Sequence, residues 1–283
     1  MSHPDANLHP VATGLAKKTV DKHSAEQPLK LFAGWFCPFV QRAWITLEEK
    51  CIPYQYIEIN PYNKDPNVCS LEVLRANPRG LVPTLEVAPG KSLYESTVLC
   101  EYLEDHYPDH KPHILPEVGK DDYTRAKARI WTDYVTSRVI PAFHRFLQFQ
   151  PSEHEDGEKR LNELRQEFKS HLLEFAREID PQGPFFFGPD LSLVDIVIVP
   201  WAVRLWVFEE FKGGLRIPEP GQGGLDEQAW GRWRKWLDAV SSRDSVKKTT
   251  SDHEHYVPIY KRYADDLAQS ELAKATRAGR GVP

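Results

Sequence analysis

The chain has 283 residues, 41% of them hydrophobic, which is enough for one large domain or two ordinary ones with sizeable cores. Its 36 basic and 41 acidic residues give a formal net charge of −5 and a sequence pI near 6.1, with no dominant basic block; nucleic acid is an unfavoured partner. Four scattered cysteines without paired zinc spacings argue against a disulfide scaffold and against a metal site, and they fit the reducing cytoplasm.

Residues 1–28 mix acids, histidines and prolines and lack the apolar core of a secretion signal, so they read as a disordered tail. Residues 29–107 then alternate short β-rich segments with amphipathic helices. Leu29 to Ala33 reads as a strand, Pro38 to Lys50 as a helix and Tyr54 to Ile59 as a second strand, followed by a weaker helix over Ser70 to Asn77. Pro83 to Val87 and Ser92 to Tyr94 flank the turn Ala88-Pro89-Gly90-Lys91 as a hairpin, and a helix from Ser96 to Tyr107 closes the unit. This β-α-β-α-β-β-α order describes an α/β thioredoxin-like domain.

Prolines and histidines interrupt every pattern over 108–120, which is linker composition. Residues 121–266 read as an all-α domain: Asp121 to Phe149 bent at Pro141, Glu155 to Ile179, Leu193 to Glu210, Asp226 to Val240 and Pro258 to Asp266. Lys212 to Gly224, with five glycines and two prolines, is a loop between helices, and 267–283 reads as a second tail. The apolar run Ile196 to Val203 is far too short to span a bilayer, so no membrane partner is expected. Ser192 and Asp195 have the spacing of a capping box, with Leu191 and Ile196 as a hydrophobic staple.

Cys37-Pro38-Phe39-Val40 places a thiol where the first strand gives way to a helix. Free cysteine has a pKa of about 8.5, which helix N-termini can lower to roughly 3.5–7.5. Pro38 suits the first helical turn, and Val40 stands where a dithiol oxidoreductase has its second cysteine, so the thiol suits mixed-disulfide chemistry with an external thiol. Cys51, Cys69 and Cys100 read as small buried hydrophobes. Leu81-Val82-Pro83-Thr84 opens a strand with a proline; a cis bond there turns the Val82 backbone toward an extended peptide. Glu95-Ser96, at a helix start, reads either as a cap or as a reader of the two ends of an α-amino acid. The histidines at 253 and 255, beside Asp252 and Glu254, read as a solvated acidic loop, and His106, His110 and His113 as solvated linker residues.

Taken together, Cys37-Pro38-Phe39-Val40-Gln41-Arg42, Asn77-Pro78-Arg79-Gly80-Leu81-Val82-Pro83 and Tyr94-Glu95-Ser96 resemble the glutathione transferase superfamily, and the cysteine makes the omega class the nearest match. The resemblance extends from residue 29 to about 265. It implies glutathione as cosubstrate, a glutathione-binding first domain and a helical domain lining an acceptor site. Carried over by position, Cys37 matches the cysteine that forms a mixed disulfide with glutathione, Phe39 flanks it and Lys64 matches a lysine near the glycyl carboxylate. Val82, with Pro83, matches the backbone partner of the cysteinyl unit, and Glu95 with Ser96 match the γ-glutamyl site. Trp201 and Arg204, just after Pro200, are placed with Tyr134 at the acceptor pocket. The implied activity is thiol transfer and deglutathionylation of the thioltransferase or dehydroascorbate reductase type, on small glutathionylated or electrophilic substrates, and the family favours a homodimer. The alternatives are a lambda-class enzyme; a glutathionyl-hydroquinone reductase, which usually shows Trp-Ala where this chain has Phe39-Val40; a chloride-channel-like protein; and a regulatory non-catalytic relative. Glu48, Glu49 and Lys50 disfavour the channel-like reading, because they stand where a membrane-inserting helix should be apolar.

Overall fold

The computed structural model of the chain describes residues 8–62 and 76–283. Lys64, Cys69 and most of the helix expected over Ser70 to Asn77 lie outside the described residues. The chain divides into two compact units, 1–117 with 242–256, and 118–241 with 257–283.

In the first unit, β1 (Lys30–Ala33), β2 (Gln55–Glu58), β3 (Thr84–Ala88) and β4 (Lys91–Tyr94) form one sheet in the order β2-β1-β3-β4. β1 runs parallel to β2, with Leu31 beside Tyr56, and antiparallel to β3, where Leu31 faces Leu85; β3 and β4 are the expected hairpin. The parallel pair requires a crossover, supplied by α2 (Pro38–Glu49), most of whose residues are buried. α3 (Ser96–His106) follows β4. The thioredoxin-like order read from periodicity is therefore present in every described element.

The tail expected over 1–28 contains a helix instead, α1 (Gly14–Lys22), with Ala16 and Thr19 buried. Its partners are remote in sequence. The Thr13 N–H donates to Ser251 Oγ (3.1 Å), Thr13 Oγ1 accepts from the Asp252 N–H (2.9 Å), and the His23 ring stacks on Tyr54 at 4.0 Å. Segment 242–256, expected within the all-α domain, belongs to this unit as well: Arg243 forms a two-pronged ion pair with the buried Glu49, and Gln41 Nε2 donates to Thr250 Oγ1 (2.9 Å). The histidines at 253 and 255 open a helix rather than a solvated loop. Residues 108–117 are not a free linker either. Buried Lys50 pairs with buried Glu104 (2.8 Å) and donates to the His110 carbonyl (2.8 Å), and Glu104 also accepts from the Ile114 N–H and contacts His113 Nδ1. A buried ion pair must satisfy its remaining hydrogen-bonding capacity, and this segment supplies the partners.

In the second unit, α4 (Asp122–Tyr134) passes through a π-helical turn, Val135–Val139, into α5 (Ile140–Gln148). Pro141 lacks an N–H and crowds the preceding turn, so the helix widens just before it. α6 (Gly157–Glu178) packs on α5. The single helix expected over Leu193 to Glu210 is two, α7 (Leu193–Ala202) and α8 (Trp206–Phe211). They part where the Arg204 and Leu205 N–H groups turn to carbonyls three residues back, while Arg204 Nη1 takes the Pro200 carbonyl at 2.5 Å. After α9 (Glu227–Ser242), two short helices complete the chain: α10 (Asp244–Lys248) in the first unit, and α12 (Glu271–Arg277) in the second. Between them α11 (His253–Ala264) carries Pro258 inside it. The tail expected over 267–283 is thus partly helical: Ser270 Oγ caps the Ala273 N–H (3.0 Å), and Leu272, Ala273 and Ala275 are buried. Phe143, Phe146, Phe168 and Phe208 form an aromatic core, with Phe146 stacked on Phe208 at 4.6 Å. No helix among the described residues is long and apolar enough to cross a membrane.

Candidate functional site

The site is built at the end of β1. Gly34 starts the turn, and a Cβ there would meet the Ile59 carbonyl oxygen at 3.0 Å, so glycine lets the two backbones approach. The Cys37 N–H donates to the Gly34 carbonyl (2.9 Å), closing a turn that delivers Cys37 as the N-cap residue of α2, with Pro38 at its first position. The first-turn N–H groups of a helix carry partial positive charge, which favours an anion at this position. Cys37 is half-buried, and its Sγ lies 3.9 Å from the Val82 carbonyl oxygen.

The loop before β3 is shaped by Asn77. This buried side chain donates to the Leu81 carbonyl (3.1 Å) and to Thr84 Oγ1 (3.2 Å), and its Oδ1 accepts from the Arg79 N–H (3.0 Å). The Val82–Pro83 peptide is cis, as expected from the sequence, and half-buried Val82 faces the thiol.

Glu95 has φ 73 and ψ 110, a conformation costing a non-glycine residue about 1–3 kcal/mol. Its side chain makes no cap, so the capping alternative fails; it pairs instead with Arg79 (3.1 Å), both being exposed. Ser96 is buried, and its Oγ accepts from Arg42 Nη1 at 3.1 Å.

Arg42 stands in the quoted motif without an assigned role, yet it connects the site. Its guanidinium is buried, lies 5.2 Å from the centre of the Phe39 ring and reaches Ser96. Burial lowers its pKa to about 9, opposed by Cys100 and Cys37, so it remains cationic at neutral pH. Of the two thiols it faces, Cys100 is held neutral: burial pushes it up to about 11, outweighing the opposing hydrogen bond from Thr46 Oγ1 to its sulfur (3.3 Å). Half-buried Cys37 is the one left to exploit the cation. A basic side chain inside the apolar helix that follows Cys37 was the available sequence signal. Cys51 departs from expectation: it is exposed at the end of α2 with φ 51.

The three residues expected at the acceptor pocket have separate partners in the helical unit. The Tyr134 hydroxyl donates to Glu174 (2.9 Å) and faces His171 Nδ1 (3.1 Å). Trp201 Nε1 points at Nε2 of His144 (3.4 Å), a histidine that burial pushes down to about 3. Trp201 and Arg204 are 1% and 2% exposed, and side chains buried to this degree do not line an open pocket. Pro200 and the break after α7 turn them inward. Among the described residues no cluster of His, Cys, Asp and Glu could hold a metal.

Family models for the N-terminal and C-terminal domains of glutathione S-transferase match residues 31–112 and 158–239. Glutathione S-transferase omega-1 of Sus scrofa is 36% identical over 181 residues, covering 64% of this chain and 68% of that protein. The crystal structure of glutathione transferase Omega 3C from Trametes versicolor matches with a TM-score of 0.75 and 42% identity over 92% of this chain and the whole of that one. Rice GST1, solved in complex with glutathione, matches with a TM-score of 0.66 and 28% identity, over 84% of this chain and the whole of that one. With both domain models matched and its fold shared across the full length of solved relatives, the chain belongs to the glutathione transferase superfamily and is omega-like within it.

Proposed function

We propose that this glutathione transferase acts as a thiol transferase and reductase through a Cys37–glutathione mixed disulfide. Glutathione is the cosubstrate of the family. The observation that carries the reading is the thiol itself, a half-buried N-cap cysteine with a buried cation behind it and a backbone acceptor in front.

The Cys37 thiolate attacks the glutathione sulfur of a mixed disulfide. The new S–S bond joins Cys37 to glutathione, and the former partner leaves as a thiolate that takes a proton from solvent. The thiolate of a second glutathione then attacks this bond, releasing glutathione disulfide and restoring Cys37. In the free protein the Val82 carbonyl faces the thiol and favours its protonated form; glutathione binding would engage that carbonyl with its own cysteinyl N–H and leave the sulfur to the helix terminus and Arg42. Ser96, already polarised by Arg42, and the α3 N-terminus hold the γ-glutamyl carboxylate, and Glu95 holds the ammonium. Lys64 is assigned to the glycyl carboxylate on family resemblance. Trp201, Arg204 and Tyr134 reach an acceptor only after side-chain movement.

Incubation with glutathione disulfide should add one glutathionyl group at Cys37, read by intact mass and peptide mapping. An adduct confined to exposed Cys51 overturns the proposal. Glu95→Gln keeps the shape of the side chain and removes its charge. Glutathione should then bind about 1.5 kcal/mol more weakly, roughly tenfold; this is the low end for a charge-assisted hydrogen bond, because the carboxylate is half exposed. Unchanged affinity by calorimetry would leave Glu95 only a surface partner of Arg79.

A further inference from the structure

The N-terminal segment and the turn that delivers Cys37 meet at Glu58, the last residue of β2. Its Oε1 accepts from the Trp35 N–H (3.0 Å) and its Oε2 from the Ala12 N–H (3.4 Å). Ala12 is buried, and the next residue, Thr13, is tied to Ser251 and Asp252. Trp35 is held a second time, through its ring: Nε1 donates to the His9 carbonyl (2.8 Å), and the indole packs edge-on against Tyr256 at 5.0 Å. Residues 9–13 therefore form a strap fixed to Trp35 through both the indole and the main chain. Two residues further on is Cys37.

We propose that Glu58 is a positioning residue for the Cys37 thiol, its carboxyl group clamping the N-terminal strap to the turn that presents the sulfur. The inference rests on Cys37 being the reactive thiol. The one carboxyl group joins both segments, so a change in its proton occupancy acts on both arms of the clamp together. Burial raises the Glu58 pKa to about 7, against the hydrogen bonds from Trp35 and Ala12, so the clamped state is favoured by the protonated carboxyl and loosens as the pH rises through the range where a thiolate works. The titratable neighbours are few. Tyr56, on the same strand, feels both Glu58 and Cys37 as well as Tyr256. The rings of His9, from the strap, and His255, from α11, lie against the Trp35 indole. Because the native state holds the Glu58 proton more tightly than the unfolded chain, this group's contribution to stability is complete below about pH 4.5. It is lost as the pH rises through about 7.

Alkylation of Cys37 by iodoacetamide, mapped by peptide and followed against pH in the full chain, tests the clamp. Wild type should show a step near pH 7 besides the thiol's own titration. Glu58→Gln, which stays neutral, should lose that step and react roughly three- to tenfold faster at about pH 8, where the wild-type clamp has loosened, while His9→Gln and His255→Gln keep it. Hydrogen exchange in wild type supplies a second readout that needs no variant: after correction for intrinsic rates, protection of the Trp35 and Ala12 amides should fall as the pH rises through about 7. A wild-type profile in Glu58→Gln, a step that disappears with either histidine, or pH-independent protection at Trp35 overturns the proposal. Both readouts survive if Cys37 proves not to carry disulfide reduction, so failure of the functional reading and failure of the clamp are distinguishable.

Discussion

Reduction of a glutathionylated disulfide by Cys37→Ser is expected to fall by three orders of magnitude or more, roughly the effect of removing a covalent nucleophile. A hydroxyl is essentially un-ionised at neutral pH, and it forms no disulfide with glutathione. Nothing else in the site changes. The turn closed by the Cys37 N–H, the Asn77-shaped loop and the Arg42–Ser96 bond are all independent of the sulfur, so glutathione affinity should survive within a few-fold. Conjugation of glutathione to an aryl halide is expected to rise, because serine can donate a hydrogen bond to bound glutathione thiolate where the native thiol competes with it. The measurement is a coupled reduction assay with the glutathione adduct of hydroxyethyl disulfide, beside calorimetry with glutathione. Retained reduction, with exposed Cys51 and buried Cys100 untouched, would place the chemistry elsewhere.

Asp195→Ala is expected to have the largest effect on folding. The fully buried carboxylate accepts four hydrogen bonds: the Ser192 N–H (2.8 Å) and Oγ–H (2.6 Å) at one oxygen, and the Phe186 N–H (2.9 Å) and Trp236 Nε1–H (2.7 Å) at the other. Truncation strands three buried N–H donors at about 1–3 kcal/mol each and removes a helix cap worth about 1 kcal/mol. A loss on the order of 4 kcal/mol or more is a large part of the 5–15 kcal/mol that typically holds a domain together. Soluble yield and the midpoint of denaturant unfolding should both collapse. Asp195→Asn fares little better, since its amide nitrogen must point at a donor whichever way it sits. If chemical denaturation shows either variant within about 1 kcal/mol of wild type, the network is not what anchors α7.

Much of this was legible in the chain itself. Period-2 and period-3.6 patterns and the turn residues between them located β1 to β4, α2 and α3, because strand and helix periodicity are set within each short segment. The Cys37 turn, the Val82–Pro83 bond and the Ser192–Asp195 box are local motifs whose geometry is set within a few residues, so spacing alone identified them. What escaped depends on distant partners. α1 is a weak helix alone, and it forms where Ser251, Asp252 and Tyr54 receive it. Residues 108–117 have loop composition, yet Lys50 and Glu104 need their backbone to satisfy a buried ion pair. The burial of Trp201 and Arg204, and the Arg204 bond back to the Pro200 carbonyl, depend on the packing of the helical unit and could not be read from spacing.

The sequence by itself determined where a thiol at a strand-to-helix turn, a proline-led strand and a carboxylate–hydroxyl pair at a helix start would fall, because these are short-range devices. Only the tertiary structure decided what packs around them. Arg42 reaches Ser96, and Glu58 joins Ala12 to Trp35, through hydrogen bonds between segments far apart in the chain. Such interactions acquire their strength only when folding excludes water from around them.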